Sequence, residues 1–318
     1  MAQKLFSKLI DILPLVSASR SKIERFSLTA PNRYKVYSIP KRTSGRRIIA
    51  HPSKELKIYQ RALLSSLEYL LDSHDSAYAY KKDRNIKANA KRHVRKKYLL
   101  KMDFNDFFNS ITPDMLFTQF VKEEVIFSEA EKRLLKNLLF WNKTKSFDGK
   151  MVLSVGAPSS PSVSNFIMKE FDEFVYRYSK EKSIIYTRYA DDLTFSTNKK
   201  DTLFDMPNFI KKVLGEVFEH KLTINESKTI YTSMAHNRHV TGVTLTNKST
   251  LSIGREKKRL ISLLVHKYKI NEIDESDFNY LHGLLSFSHH IEPSFTKRLS
   301  KKYGSDILKN IIKGIYCE

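Results

Sequence analysis

Ser183-Ile184-Ile185-Tyr186-Thr187-Arg188-Tyr189-Ala190-Asp191-Asp192-Leu193-Thr194-Phe195-Ser196-Thr197 is the stretch on which the reading of this chain turns. Residues 183–189 and 193–197 are rich in β-branched and aromatic side chains, and a short acidic break separates them, the pattern of two strands joined by a tight turn. Two aspartates in a turn are ordinary by themselves, because Asp favours turns. Here Ile184, Ile185 and Tyr186 precede them and Leu193 and Phe195 follow, so the acidic tip projects from a sheet whose flanks are apolar.

A third carboxylate ends another apolar run. Residues 98–104 read as a strand with Asp103 near its end. If the two strands are neighbours, Asp103, Asp191 and Asp192 converge, and like charges so close repel unless they are protonated or bridged by cations. A divalent metal resolves the conflict. Hard oxygen donors with no His or Cys beside them suit Mg²⁺, which keeps several waters and takes phosphate oxygens as further ligands. Two such ions, about 3.5–4 Å apart in sites of this kind, activate an attacking hydroxyl and stabilise a leaving phosphate.

Outward from these boxes the pattern is α+β. Residues 3–28 carry apolar side chains at helical spacing and read as one or two short helices. Residues 34–39 and 46–50 flank the turn signal Thr43-Ser44-Gly45 and read as a hairpin. Helices are expected over 54–71, 113–127, 130–141, 163–178 and 208–218, a short strand over 221–225 and extended chain over 231–245, with a mainly helical remainder from Arg255. No internal repeat and no low-complexity linker interrupts the order.

With 318 residues, 41% hydrophobic and 28% charged, the chain has material for two or three subdomains and lacks the profile of a disordered protein. Its 56 Lys plus Arg against 34 Asp plus Glu give a formal charge of +22, which points to a polyanionic partner, nucleic acid first. The excess is clustered. Between Lys81 and Lys101 ten basic residues, Arg92 among them, meet one acid, Asp83; two further clusters, Arg255, Lys257, Lys258, Arg259 and Lys297, Arg298, Lys301, Lys302, lie close to Tyr268, Phe295 and Tyr303. Charge holds phosphates and rings stack on bases, whereas the blander reading of any one cluster is a solvated helix face.

Cysteine occurs once, at Cys317, which excludes an intrachain disulfide and a cysteine metal cage and fits a cytoplasmic location. Asp11 and Pro14 interrupt the apolar run near the start, so no signal peptide is read, and no stretch approaches the ~20 apolar residues that a membrane-spanning helix needs; no membrane partner is expected.

Three strings together carry a resemblance. Tyr189-Ala190-Asp191-Asp192 resembles the catalytic box of reverse transcriptases, Leu100-Lys101-Met102-Asp103-Phe104-Asn105-Asp106-Phe107-Phe108 their first catalytic strand, and Gly156-Ala157-Pro158-Ser159-Ser160-Pro161 their substrate-contacting loop. With Arg46-Arg47 before and Asn225-Glu226-Ser227-Lys228-Thr229 after, the match runs from about residue 35 to 245 in family order. The resemblance implies a right-hand polymerase fold: N-terminal helices and fingers over 1–97, an antiparallel-sheet palm over 98–245 with finger helices interleaved at about 113–150, and a helical thumb over 246–318.

By matching position it also implies roles. Asp103 and Asp191 are the principal ligands of two Mg²⁺ ions and Asp192 supports them. Phe108 is the bulky residue that excludes a ribose hydroxyl, Arg47 together with Lys41 or Arg46 grips the triphosphate of a dNTP, and Lys228 protonates departing pyrophosphate. Tyr189 and the loop residues Gly156, Ala157 and Pro158 face substrate. Val155 departs from the Gln that often precedes the loop glycine, so one nucleotide hydrogen bond is in question.

Asn89-Ala90-Lys91-Arg92-His93 and Val240-Thr241-Gly242 resemble elements of the bacterial retron branch. That branch implies RNA contacts from Asn89, Arg92, His93, Val240, Thr241 and Gly242, with Arg255 and Lys258 added by charge. It implies a cognate structured noncoding RNA, priming from an internal guanosine 2′-hydroxyl, a branched RNA-linked DNA product, and an antiphage system with a separate effector protein. Two readings compete: a non-retron bacterial reverse transcriptase or RNA-dependent RNA polymerase, and a noncatalytic RNA-binding scaffold on the same fold, which has no reason to keep three repelling carboxylates together.

Overall fold

Residue 16, residues 18–40 and residues 45–316 are described by the computed structural model of this chain. Most of the apolar run expected to begin the first helices, Lys41, the Thr43-Ser44 part of the expected turn, and Cys317 lie outside the described residues.

Helix α1 (Arg20–Thr29) begins where the Ser19 side chain accepts from the Lys22 amide. Strands β1 (Tyr34–Pro40) and β2 (Arg46–Pro52) pair antiparallel, from Tyr34 opposite Pro52 to Pro40 opposite Arg46. Their prolines fall at strand ends, where a missing N–H costs little. Ser53 caps α2 (Lys54–Leu67), which stops four residues short of the expected Leu71, where the Leu70 amide closes a tighter three-residue turn onto the Leu67 carbonyl. Then come α3 (Ile86–His93), β3 (Tyr98–Asp103) and the single turn α4 (Phe107–Ser110).

Helix α5 (Pro113–Lys122) ends before the expected Phe127, since Glu124 takes φ 59° and the Val125 amide returns 2.8 Å to the Phe120 carbonyl. A capping box between Ser128 and Glu131 starts α6 (Glu129–Leu139). Phe140 is extended, so Trp141, expected in the helix, lies instead in the short pair β4 (Trp141–Asn142) and β5 (Met151–Val152). The single helix expected over 163–178 is two, α7 (Ser160–Ile167) and α8 (Lys169–Glu181), hinged at Met168 with ψ −1°. The apolar period runs unbroken across that hinge, so no local signal marks it.

Strands β6 (Ile185–Tyr189) and β7 (Asp192–Thr197) follow, joined by two residues, then α9 (Met206–Phe218). The strand expected over 221–225 is reduced to one bridge, Ile224 opposite Phe104. Beyond it lie β8 (Ile230–Ser233), β9 (Arg238–Val240), β10 (Val243–Leu245), β11 (Leu251–Ser252) and four helices, α10 (Arg255–Lys269), α11 (Glu275–Ile291), α12 (Pro293–Tyr303) and α13 (Ser305–Ile312). No helix among the described residues is long and apolar enough to cross a membrane.

The sheet that matters most has the order β6-β7-β3-β8, so the strand ending in Asp103 is the direct neighbour of the strand beginning with Asp192. The chain forms two compact units: residues up to 81 with 101–193 and 204–229, and residues 82–100 with 194–203 and 230 onward. In the first, leucines 56, 63 and 67 of α2 and 134, 135 and 138 of α6 are buried, as are Phe120, Phe166 and Phe171. Each such side chain contributes about 1.5–3 kcal/mol by leaving water. In the second, one core joins Ala90 of α3, Val240 and Val243 of the three-stranded sheet β11-β10-β9, and Ile261, Leu264, Leu281, Leu285 and Leu299 of the tail helices.

Candidate active site

The site is assembled at strand ends in the first unit. Asp103 closes β3 and is 6% exposed. Two backbone bonds fix it against its neighbours: the Phe104 amide donates to the Asp191 carbonyl at 3.2 Å, and the Asn225 amide donates to the Asp103 carbonyl at 2.7 Å. Between β6 and β7 the chain reverses through Ala190 and Asp191, with Ala190 in the left-handed region at φ 56°. Asp103, Asp191 and Asp192 thereby each bring a carboxylate oxygen within 4.8 Å of the others.

Such crowding has an electrostatic signature. Desolvation first, then the Asp103 charge, raises the Asp191 pKa, while Lys228 and Arg47 oppose the rise. Desolvation followed by the charges of Asp191 and Asp103 pushes Asp192 up to about 7. A cation lowers the free energy of this cluster more than of any dispersed arrangement. Lys228, delivered by a 3₁₀ turn over Glu226–Lys228, donates to Asp103 Oδ2, and that bond raises the lysine pKa, so Lys228 is an ammonium. The donor set is all oxygen and carboxylate, which fits a hard divalent ion.

A cavity of about 380 Å³ opens over the carboxylates and is walled by Arg46, Arg47, Tyr80, Phe108, Val155 and Lys228 among others. The adjacent phenylalanines divide the work. Phe107 is buried and stacks on Phe104 at 5.3 Å between ring centroids, whereas Phe108 is half-buried and faces the cavity. Arg46 is tied back to Ser38, its Nε donating to the hydroxyl at 2.7 Å; Arg47 is exposed.

The loop after β5 is strapped to β2. The Ala50 amide donates to the Val155 carbonyl at 3.1 Å and the Ser154 hydroxyl to the Ala50 carbonyl at 2.9 Å. Gly156 has φ 119°, and a Cβ there would come within 3.2 Å of the Ala50 carbonyl oxygen, so only glycine permits this approach. Ala157 is buried beneath the loop; Pro158 and Tyr189 are half-buried.

The residues expected to touch RNA divide differently. Asn89, His93 and Val240 are wholly buried in the second unit, so their side chains meet protein rather than a ligand in solvent. His93 Nδ1 lies 2.7 Å from the Ser196 hydroxyl, and burial, reinforced by the Arg92 charge, lowers its pKa to about 3. Thr241 (φ 47°) and Gly242 (φ 78°) form the two-residue turn between β9 and β10, with Val240 opposite Val243. Positive φ at both positions is the geometry of a tight hairpin whose twist suits its strands. Helix α3 packs against β9 and β10, so the two short strings meet in one core. Arg92 and Arg255 are exposed; Lys258 is half-buried and paired with Glu292 at 2.7 Å.

A buried ionic network had no counterpart among the sequence expectations. Arg188 and Asp172 are both fully buried and meet at 2.6 Å; the Tyr186 hydroxyl donates to Asp172 at 2.6 Å, and Arg188 Nη1 donates to Asn165 at 3.0 Å and to the Ala190 carbonyl at 3.1 Å. The guanidinium thus holds the residue that precedes Asp191. A carboxylate on the apolar face of α8, beside Phe171 and Val175, was the signal that could have exposed it.

The family model for reverse transcriptase (RNA-dependent DNA polymerase) matches residues 39–245. Among characterised proteins, the Retron Ec83 reverse transcriptase of Escherichia coli is 50% identical over 280 residues, 88% of this chain and 90% of that protein. The Retron Ec86 and Retron Ec73 reverse transcriptases of Escherichia coli are 31% and 30% identical, over 92% and 88% of this chain and 90% of each relative. Among solved structures, apo telomerase from Candida tropicalis aligns with a TM-score of 0.49 at 13% identity, covering 89% of this chain and 61% of that one.

Proposed function

The chain belongs to the reverse transcriptase family and, within it, to the bacterial retron reverse transcriptases, and on that premise we propose that it copies part of a structured noncoding RNA starting from an internal guanosine 2′-hydroxyl. It is an RNA-directed DNA polymerase, and members of its family use a divalent metal. The product of the proposed reaction is branched RNA-linked DNA, and the proposed setting is cytoplasmic antiphage defence with a separate effector protein.

In this reading Asp103 and Asp191 hold two Mg²⁺ ions with Asp192 in support. Bound magnesium would make the attacking hydroxyl more acidic and neutralise charge on the leaving pyrophosphate. Arg47, seconded by Arg46, holds the triphosphate through forked N–H donors. Phe108 fills the space that a ribose 2′-hydroxyl would need, which selects dNTPs. Lys228, an ammonium at neutral pH, gives its proton to pyrophosphate as it departs. Tyr189 and the loop Gly156, Ala157 and Pro158 contact substrate, with Val155 supplying bulk where a Gln would supply a hydrogen bond.

Residues 1–97 are assigned to N-terminal helices and fingers, 98–245 to the palm with its interleaved finger helices, and 246–318 to the thumb. Arg92, Arg255 and the neighbouring basic residues grip RNA phosphates, and Asn89, His93, Val240, Thr241 and Gly242 support that surface from beneath. Lys258 joins it on release from Glu292.

The observation that carries the proposal is the convergence of three carboxylates within 4.8 Å, with arginine and lysine at the rim of the same cavity. The test is the nucleic acid that copurifies with the protein. DNA joined to RNA through a 2′,5′ linkage is expected, and linear extension products alone would reject the retron reaction while leaving the polymerase assignment intact.

A further inference from the structure

We propose that Tyr80 is a substrate-positioning residue of the nucleotide site, its ring a second aromatic wall beside Phe108 against which the incoming deoxynucleotide packs; the inference rests on the polymerase reading of the carboxylate cluster. Tyr80 lines the cavity that contains Asp103, Asp191 and Arg47, and also the neighbouring cavity of about 400 Å³ formed by Ser154 to Pro158. Phe108 and Val155 share this double placement. A ring at the junction of the two spaces touches whatever extends from the carboxylates toward the loop.

The backbone is arranged to present it. Ser76, Ala77, Tyr78 and Ala79 are buried, yet Tyr80 is 55% exposed. Tyr80 has φ 58°, a left-handed conformation in which an L side chain is strained. It is the only phenyl or phenol ring with positive φ among the described residues.

Three bonds hold the segment there: the Tyr78 amide donates to the Arg188 carbonyl at 2.7 Å, the Arg188 amide to the Ser76 carbonyl at 2.7 Å, and Asn165 Nδ2 to the Ala79 carbonyl at 2.8 Å. The same Arg188 and Asn165 side chains join the network that fixes Ala190. Tyr80 and the catalytic turn are therefore anchored to one rigid frame. The frame makes an exposed ring at a strained position sterically defined before substrate arrives, which lowers the entropic cost of binding.

The experiment is single-nucleotide primer extension with purified full-length protein, dNTP concentration varied, for wild type, Tyr80→Phe, Tyr80→Ala and Tyr80→Gly, with Asp191→Ala as control. Loss of one stacking ring predicts a dNTP KM raised about tenfold in Tyr80→Ala and Tyr80→Gly, with Tyr80→Phe within about twofold of wild type. RNA affinity is expected to stay unchanged in all of them. Glycine accepts φ 58° without strain, so Tyr80→Gly separates loss of the ring from damage to the backbone. An unchanged KM in Tyr80→Gly, or a loss in Tyr80→Phe equal to that in Tyr80→Ala, overturns the inference. Extension by Asp191→Ala would instead overturn the polymerase reading beneath it.

Discussion

The acidic turn in the first unit and the β9–β10 turn in the second are both two-residue reversals marked by family-like strings, yet their physics is opposite. At Ala190-Asp191 the turn gathers like charges that help raise the pKa of Asp191 and of Asp192, and its geometry is held by Arg188. At Thr241-Gly242 the turn satisfies itself: both residues have positive φ, and the flanking valines are buried in an apolar core. A motif can therefore record either chemistry, which is maintained against stability, or packing, which is stability. Burial and electrostatics distinguish the two; the letters do not.

Removing one of the proposed metal ligands tests the first half of that contrast most severely. Asp191→Ala is expected to lower single-turnover primer extension by about a thousandfold or more, since the lost interaction acts on the transition state. RNA affinity should stay within about twofold, measured by filter binding at fixed salt. Normal extension by this variant would show that the carboxylates are not the reacting centre.

The second half predicts a pH effect from His93. In the unfolded chain this histidine takes a proton near its ordinary 6.5, whereas in the fold it stays neutral down to about 3. Its contribution to stability is thus complete above pH 6.5 and is lost as pH falls toward 3, at about 1.4 kcal/mol per pH unit. By urea unfolding, wild type should lose about 2 kcal/mol more stability than His93→Gln between pH 6.5 and pH 4.5. Parallel slopes would mean that His93 is solvated and that the second region is not a packing motif.

The smallest effect has the opposite sign. Asp192 is raised to about 7, so its charge opposes folding once pH rises past the unfolded value of 3.8, and the penalty is complete above 7. In metal-free protein Asp192→Asn should stabilise by about 1 kcal/mol at pH 8, because the exposure of this side chain screens most of the repulsion, and by nothing near pH 4. A lower melting temperature for the variant at pH 8 would place Asp192 among the packing residues and erase the contrast.

The carboxylate cluster was legible because it is built from strand ends, whose β-rich apolar runs and acidic tips are local signals. Asp103, Asp191 and Asp192 stand at such ends, and adjacency of β3 and β7 brings them together. Helix ends were less legible. Leu67 and Lys122 end their helices through backbone bonds to carbonyls within the same turn, for which the apolar pattern beyond gave no warning. Tyr80 and the Arg188 network were invisible for a deeper reason. Their partners lie on separate elements, and a buried charge announces itself only through the group that neutralises it.

Arg188, Asp172, Tyr186 and Asn165 also constrain how this enzyme can change over time. Each occupies the hydrogen-bonding capacity of another in a dry interior, so replacing either charge alone strands its partner at a cost of about 3–5 kcal/mol, whereas an apolar pair of matching volume need cost far less. Variation at these four positions is consequently tied together: lineages would have to cross a valley of unstable intermediates to alter the frame, and drift is left to the surface around it.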